Sequence, residues 1–328
     1  MEHLISHDFK GVISIEQNRK WIYKQAIGEA DRPGNRPNRL ETRFPIAGGS
    51  QVFTAVGILK LIEKKQLGYG DKIGELLPYP LGNIDKSITI RQLLNHTSGL
   101  GDYYEEKKEG DFSLATHNFS NAYLRNPRDF LPLVINLPMK FQPGTAFSYS
   151  HAGYVLLNLI LEKVSGMPFD IYLKRELFVP NEMHDTGYFA LDRLPSSCAI
   201  GYCFDKREQD YFSNIFSVEA KGAYTTTGDL EKFWLNLSNG KIMGRALVRE
   251  MFSPQVEEGF YGYGLWLQYQ PKEDAYLPFL QGAQPGISFI SSFDRQTGRS
   301  ITLISNYGSD VISLHGQLYS QLVKEEAI

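Results

Sequence analysis

The chain has 328 residues, 42% hydrophobic and 22% charged, with a formal net charge of -3. That is ordinary for a water-soluble globular protein with a sizeable core, in one large or two interleaved units. It excludes a polybasic nucleic-acid surface, and no run of about 18 apolar residues suggests a membrane span.

Reading from the first residue, Met1 to Asp8 shows no basic region followed by an apolar run. No secretory signal is therefore expected. The expected location is the cytoplasm, or outside the cell if a signal segment was removed. Gly11 to Ile15 alternates, Asn18-Arg19 reads as a turn, and Trp21 to Ile27 resumes, which predicts a β-hairpin. Gly28 to Pro37 is rich in Gly, Pro, Asn and Asp and reads as a loop. Apolar residues at Val52, Val56, Leu59 and Ile62 predict a helix to Lys65, ended by Gly68 to Asp71.

Ile90 to Leu94 predicts a short helix before the loop Asn95-His-Thr-Ser-Gly-Leu-Gly. Residues 101–128 are polar, with a charge run at Glu105 to Glu109, and read as a solvated loop. Helices are predicted over Asn126 to Leu137, Tyr154 to Val164 and Asp229 to Leu237. Three strands follow: Tyr261 to Gln268, Gly286 to Phe293 and Ser300 to Asn306, with a turn at Asp294 to Gly298 between the last two. Asp310 to Glu325 closes as a helix with Val311, Leu314, Leu318 and Leu322 on one side. Strands at both ends with helices between predict an α+β fold. An antiparallel sheet from the N- and C-terminal parts is flanked by helices and carries a mainly helical insertion.

Cys198 and Cys203 are too few for a disulfide scaffold. They read as small, partly buried residues, with a single disulfide or redox pair as the alternative. The seven histidines show no metal-binding spacing, so no metal and no cofactor is expected.

Five segments carry a more specific message. Phe44-Pro-Ile-Ala-Gly-Gly-Ser-Gln-Val-Phe-Thr-Ala resembles F-x-I-A-S-x-x-K-x-F-T-A, the active-site segment of the class C β-lactamase and penicillin-binding-protein family, which includes D-Ala-D-Ala carboxypeptidases. Ile90 to Leu100 resembles that family's I-R-x-L-L-x-H-T-S-G-L, and Phe141 to Tyr154 its F-x-P-G-x-x-x-x-Y-S-N-x-G-Y. Gly222 to Leu230 resembles G-G-x-x-S-T-A-x-D-L. Tyr261-Gly-Tyr-Gly and Gly282-Ala-Gln-Pro-Gly fit the late strands. The resemblance implies a single unit of two parts. An α/β part would comprise 1–60 and 220–328, a mainly helical part 61–219, and the active site would lie in a cleft between them.

The resemblance also implies acyl transfer to a serine, helped by a Lys base, a Tyr and a third-motif Lys or His, with two backbone N–H groups as oxyanion donors. Here the serine position is Gly48 and the Lys position is Gln51. Tyr149 is retained, but His151 replaces the Asn of Y-x-N. Leu280 takes the third-motif cation position, followed by Gln281 and Gly282. Gly48 and Ala283 would still supply the oxyanion donors. Loss of a nucleophile alone costs serine proteases about 10^6 in turnover.

Three readings follow. In the first, the protein has lost serine catalysis and keeps a cleft, lined by Gly48, Gln281, Gly282 and Ala283, for a small peptide-like or acyl ligand. In the second, it remains a hydrolase of an ester, amide or lactam through Tyr149 and His151. In the third, it is a structural or regulatory module binding a partner through 101–128. Ser50 is a weak substitute nucleophile, because two residues rotate a helical side chain by roughly 200°; it is expected to cap or pack near the helix start. His151 is expected to make a local hydrogen bond or touch ligand. His96 is expected to fix its loop by hydrogen bonding.

Overall fold

The computed structural model describes residues 2–6, 8–103, 124–190, 193–204, 210–212, 222–284 and 286–326. Most of the polar segment 101–128 lies outside these residues.

The hairpin forms as its sequence dictates. Strands β1 (Gly11–Gln17) and β2 (Lys20–Ile27) are joined by Asn18 and Arg19. Both turn residues have positive φ, 51° and 66°, as the tight turn matching strand twist requires. The following loop carries a small ribbon, β3 (Glu29–Asp31) against β4 (Arg36–Pro37). Two-residue β5 (Phe44–Pro45) then leads through a 3₁₀ turn, Ala47–Ser50, into helix α1 (Gln51–Glu63). Almost all of α1 is buried, so it is a core helix rather than an amphipathic surface one.

The middle of the chain is mainly helical. Helix α2 (Ile73–Leu76) precedes α3 (Ile90–Leu94), whose Thr89 and Gln92 form a capping box. The helix expected over 126–137 is broken. A 3₁₀ turn, Pro127–Phe130, precedes a single turn of helix, α4 (Leu131–Val134), because Pro127 and Pro132 suit only first-turn positions. Helix α5 (His151–Ser165) begins three residues before the predicted start, where Ser150 caps it, and ends at Gly166 in the left-handed region. Helix α6 (Phe169–Leu173) continues through irregular turns to β6 (Gly187–Phe189). Cys198 is a buried free thiol, which removes the disulfide alternative, and burial pushes its thiol up to about 12.

Strands β7 (Tyr202–Phe204) and β8 (Asp210–Phe212) pair with each other. Strand β9 (Gly222–Thr225) lies between β5 and β6 in a separate small sheet. Thr226 caps α7 (Thr227–Ser238), and α8 (Arg245–Met251) follows. The last strands are β10 (Trp266–Gln270), β11 (Ala275–Gln284), β12 (Ile287–Asp294) and β13 (Arg299–Ser305), before helix α9 (Val311–Glu326). The main sheet is antiparallel, in the order β10-β11-β12-β13-β1-β2. The strand expected at 261–268 is thus corrected. Tyr261 only bridges to Trp266, Gly264 turns with φ 74°, and the strand starts at Trp266.

The pleat sends alternate residues to two cores. Ile13, Ile15, Ile290, Ile301 and Leu303 pack under Val311, Leu314, Leu318 and Leu322 of α9. The opposite face joins the main core with α1, α5 and α7. There Trp234 stacks on Phe293 and donates its indole N–H to Ser291 at 2.9 Å. The sheet assembled from both ends of the chain, with helices between, agrees with the α+β expectation.

Candidate active site

Position 48 sits in the 3₁₀ turn leading into α1. A Cβ on Gly48 would lie 2.7 Å from the Tyr149 hydroxyl oxygen and 3.9 Å from Cε1 of His151. The phenol therefore fills the space that a side chain at 48 would enter. Gly49 is equally confined: its Cβ would approach Phe289 to 2.4 Å. Strand β11 closes over the same turn. A Cβ on Gly282 would meet the Ile46 carbonyl at 2.2 Å and the amide nitrogens of Gly48 and Gly49 at 3.0 Å. Leu280, two residues earlier and so on the same strand face, is buried in the main core. Gln281 is half-buried, and Ala283 is exposed and pairs with Ser288.

Gln51, three residues along, lies on the same side of the helix as Gly48. It is 1% exposed, and neither amide atom has a hydrogen-bond partner among the described residues. Ser50 donates its hydroxyl to the Ala47 carbonyl at 2.7 Å and makes no helix-capping bond. It packs at the helix start as expected, but its hydroxyl turns back on its own turn.

Tyr149 is held among rings. It stacks on Trp266 with centroids 5.7 Å apart, leans on His96 at 4.4 Å, and meets the edge of His151 at 5.2 Å. Tyr149 and His151 thus come together from two local settings. Ser150 ends the preceding loop and His151 is the first residue of α5. The His151 backbone N–H donates to Asp102 at 2.5 Å, across a separation of 49 residues.

His96 fixes two loops, as its position in the H-T-S-G-L segment suggests. Its Nδ1 accepts the Ser150 N–H at 3.1 Å, and its Nε2 meets the Tyr261 hydroxyl at 2.9 Å. An accepting Nδ1 places the neutral ring's proton on Nε2, which donates to Tyr261. Burial, reinforced by nearby His151, holds its pKa well below that of an ordinary histidine. His96 also adopts φ 59°, a region histidine visits more readily than most residues.

Trp266 and Asp102 were not singled out in the sequence. Their partners come from distant segments, so no local spacing marks them. No group of three or more His, Cys, Asp or Glu among the described residues is placed to hold a metal. No helix among them is long and apolar enough to cross a membrane.

This arrangement has close counterparts. The β-lactamase family profile matches residues 2–310. Penicillin-binding protein 4* of Bacillus subtilis (strain 168) is 31% identical over 325 residues, spanning 93% of this chain and 69% of that protein. The crystal structure of a penicillin binding protein from Bacillus halodurans superposes with a TM-score of 0.87 at 31% identity, covering 98% of this chain and 97% of that one. A D-stereospecific amidohydrolase from Streptomyces sp., at 21% identity and TM-score 0.74, covers 94% of this chain and 93% of its own and shares the fold. Sheet, core helices and the turn at Gly48 define a serine hydrolase fold of the penicillin-binding type. The chain belongs to the β-lactamase family.

Proposed function

We propose that this protein has lost serine acyl-enzyme catalysis and uses the cleft between its sheet part (1–60 and 220–328) and its helical part (61–219) to bind a small peptide-like or acyl ligand. The observation that carries this reading is the Tyr149 hydroxyl lying 2.7 Å from where a side chain at Gly48 would begin. Position 48 offers no hydroxyl, and one turn later Gln51 offers an amide that does not titrate near neutral pH. Leu280 removes a third polar group. The backbone amides of Gly48 and Ala283 and the edge at Gln281 and Gly282 are the groups assigned to hold a ligand carbonyl. A fold shared with an amidohydrolase, and with a D-amino acid amidase from Ochrobactrum anthropi, suggests acyl compounds and amides of D-amino acids as ligands to screen.

Equilibrium binding of a labelled penicillin, followed by intact-mass measurement and peptide mapping, tests the reading. Reversible occupancy with no serine adduct is expected. An adduct on a serine of the cleft overturns it.

A further inference from the structure

We infer that Tyr149 is itself an acyl acceptor, its phenolic oxygen taking the place left by the missing side chain at Gly48. This goes beyond the binding reading while resting on the same cleft. The proposed acyl donors are activated aryl esters, whose leaving groups depart readily enough for a phenol to displace them.

Four observations converge on one oxygen atom. The Tyr149 hydroxyl is the nearest group to the Cβ position of Gly48. That position lies in the 3₁₀ turn at the N-terminal end of the 13-residue α1, where the helix dipole favours negative charge on an oxygen. The ring is oriented by Trp266, His96 and His151 on separate elements, which removes much of the freedom a surface tyrosine has. The fourth is a neighbouring imidazole, to which the base's role is assigned: His151 meets Tyr149 edge-on with centroids 5.2 Å apart, and its Cε1 comes to 3.9 Å from the same Gly48 point. His96, though closer to the phenol ring, is unsuited to take the proton. Its Nδ1 is engaged by the Ser150 N–H and its Nε2 by Tyr261.

The step is a transesterification. The phenolic oxygen adds to the ester carbonyl carbon, forming the Tyr149 O–C bond as the bond to the aryl oxygen breaks. His151 takes the phenolic proton and releases it to the departing phenolate or to solvent. Water later hydrolyses the tyrosyl ester and restores the phenol, releasing the carboxylic acid. No oxidant or further reactant is needed.

The test uses p-nitrophenyl acetate with the whole protein. A burst of nitrophenol close to one equivalent is expected, with one acetyl group added to the intact mass and mapped to Tyr149. Tyr149→Phe abolishes the burst. Gly48→Ala places a methyl group 2.7 Å from the phenol oxygen, closer than the two can pack, and the displaced phenol slows the burst on the order of 100-fold. Tyr269→Phe, an exposed tyrosine on β10, leaves it unchanged. An unaltered burst in folded Tyr149→Phe, or an adduct mapped elsewhere on the wild-type protein, overturns the inference. Retained penicillin binding with no acetyl group on Tyr149 after p-nitrophenyl acetate removes the acyl acceptor but leaves the binding reading standing. Absence of any binding removes that reading instead.

Discussion

Nδ1 of His96 accepts the backbone N–H of Ser150 at 3.1 Å, across a sequence separation of 54 residues. The bond ties the loop before α5 to the loop after α3, and it sets the approach of Tyr149 and His151 to the turn at Gly48. His96→Ala leaves the buried Ser150 N–H unpartnered and puts alanine at φ 59°. A loss of about 2–3 kcal/mol of unfolding free energy is expected, read by denaturant titration. His96→Asn, which tolerates that φ, should lose less.

Acid should weaken the fold through two histidines. His315 on α9 is buried, its Nε2 meets Ser292 at 2.7 Å, and burial pushes its pKa down to about 4. The unfolded chain protonates this group near 6.5 while the folded one stays neutral, so stability falls as pH drops below about 6.5. Between 6.5 and 4 that amounts to ~3 kcal/mol from His315, at about 1.4 kcal/mol per pH unit. His96 acts with the same sign. Unfolding curves at successive pH values should show this limb, and His315→Leu should flatten it.

Base should weaken it through a different contact. Glu231 on α7 faces Glu16 of β1, which is itself paired with Lys24. Burial, with the neighbouring Glu16 adding to it, raises the Glu231 pKa to about 8. The folded state then keeps a proton that the unfolded state has released, so stability declines between roughly 4.5 and 8 as pH rises. Glu231→Gln should remove most of that decline and be the more stable protein at pH 8, measured by thermal melting.

Gly282→Ala should be more damaging than its one methyl group suggests. The added carbon meets the Ile46 carbonyl at 2.2 Å, and neither strand nor turn is a flexible side-chain end. An overpacking cost of about 1–3 kcal/mol is expected. Binding of the labelled penicillin should fall further than stability, because the 3₁₀ turn moves away from β11. Equal binding by mutant and wild type would refute the role given to this contact.

Gln51 sets up a trade between stability and chemistry. Its buried, unpartnered amide costs stability, so Gln51→Met should raise the melting temperature, by about 1–2 kcal/mol in free energy. Gly48→Ser alone should form no penicillin adduct, because the Tyr149 hydroxyl crowds the new side chain and no lysine stands at position 51 to orient and deprotonate it. Gly48→Ser with Gln51→Lys should form one on the new serine, provided Tyr149 retracts from the position its hydroxyl occupies. Thermal melting reads the first variant, and intact-mass measurement after penicillin separates the other two.

Much of the fold could be read directly. The hairpin announced itself through alternation and a two-residue turn, and α1 and α9 through apolar spacing. Strand β11 did not, although its Leu280-Gln281-Gly282-Ala283 segment was matched to a motif. Pro278 interrupts its pattern, tolerated because pairing with β12 begins only at Phe279. Two-residue β5 is too short to carry any period. In the site, the substitutions at Gly48 and Gln51 were plain from the letters. The position of the Tyr149 hydroxyl was not, since it depends on Trp266, His96 and His151 meeting in space. Asp102 was likewise invisible, because it acts on a backbone N–H, which no side-chain motif records.

The pairing of Gly11 to Gln17 with Arg299 to Ser305 has a consequence for how the molecule is made. Strand β1 is synthesised long before β13 and must wait for it before its second edge is covered. Such non-local closure slows folding and exposes apolar strand edges meanwhile. Residues Val12 to Ile15 are the segment at risk, guarded on one side only by the hairpin with β2. Because β11 must also arrive before the turn at Gly48 is enclosed, the surroundings of that turn take shape late in folding. Slower synthesis at lower temperature should therefore improve the yield of correctly folded protein.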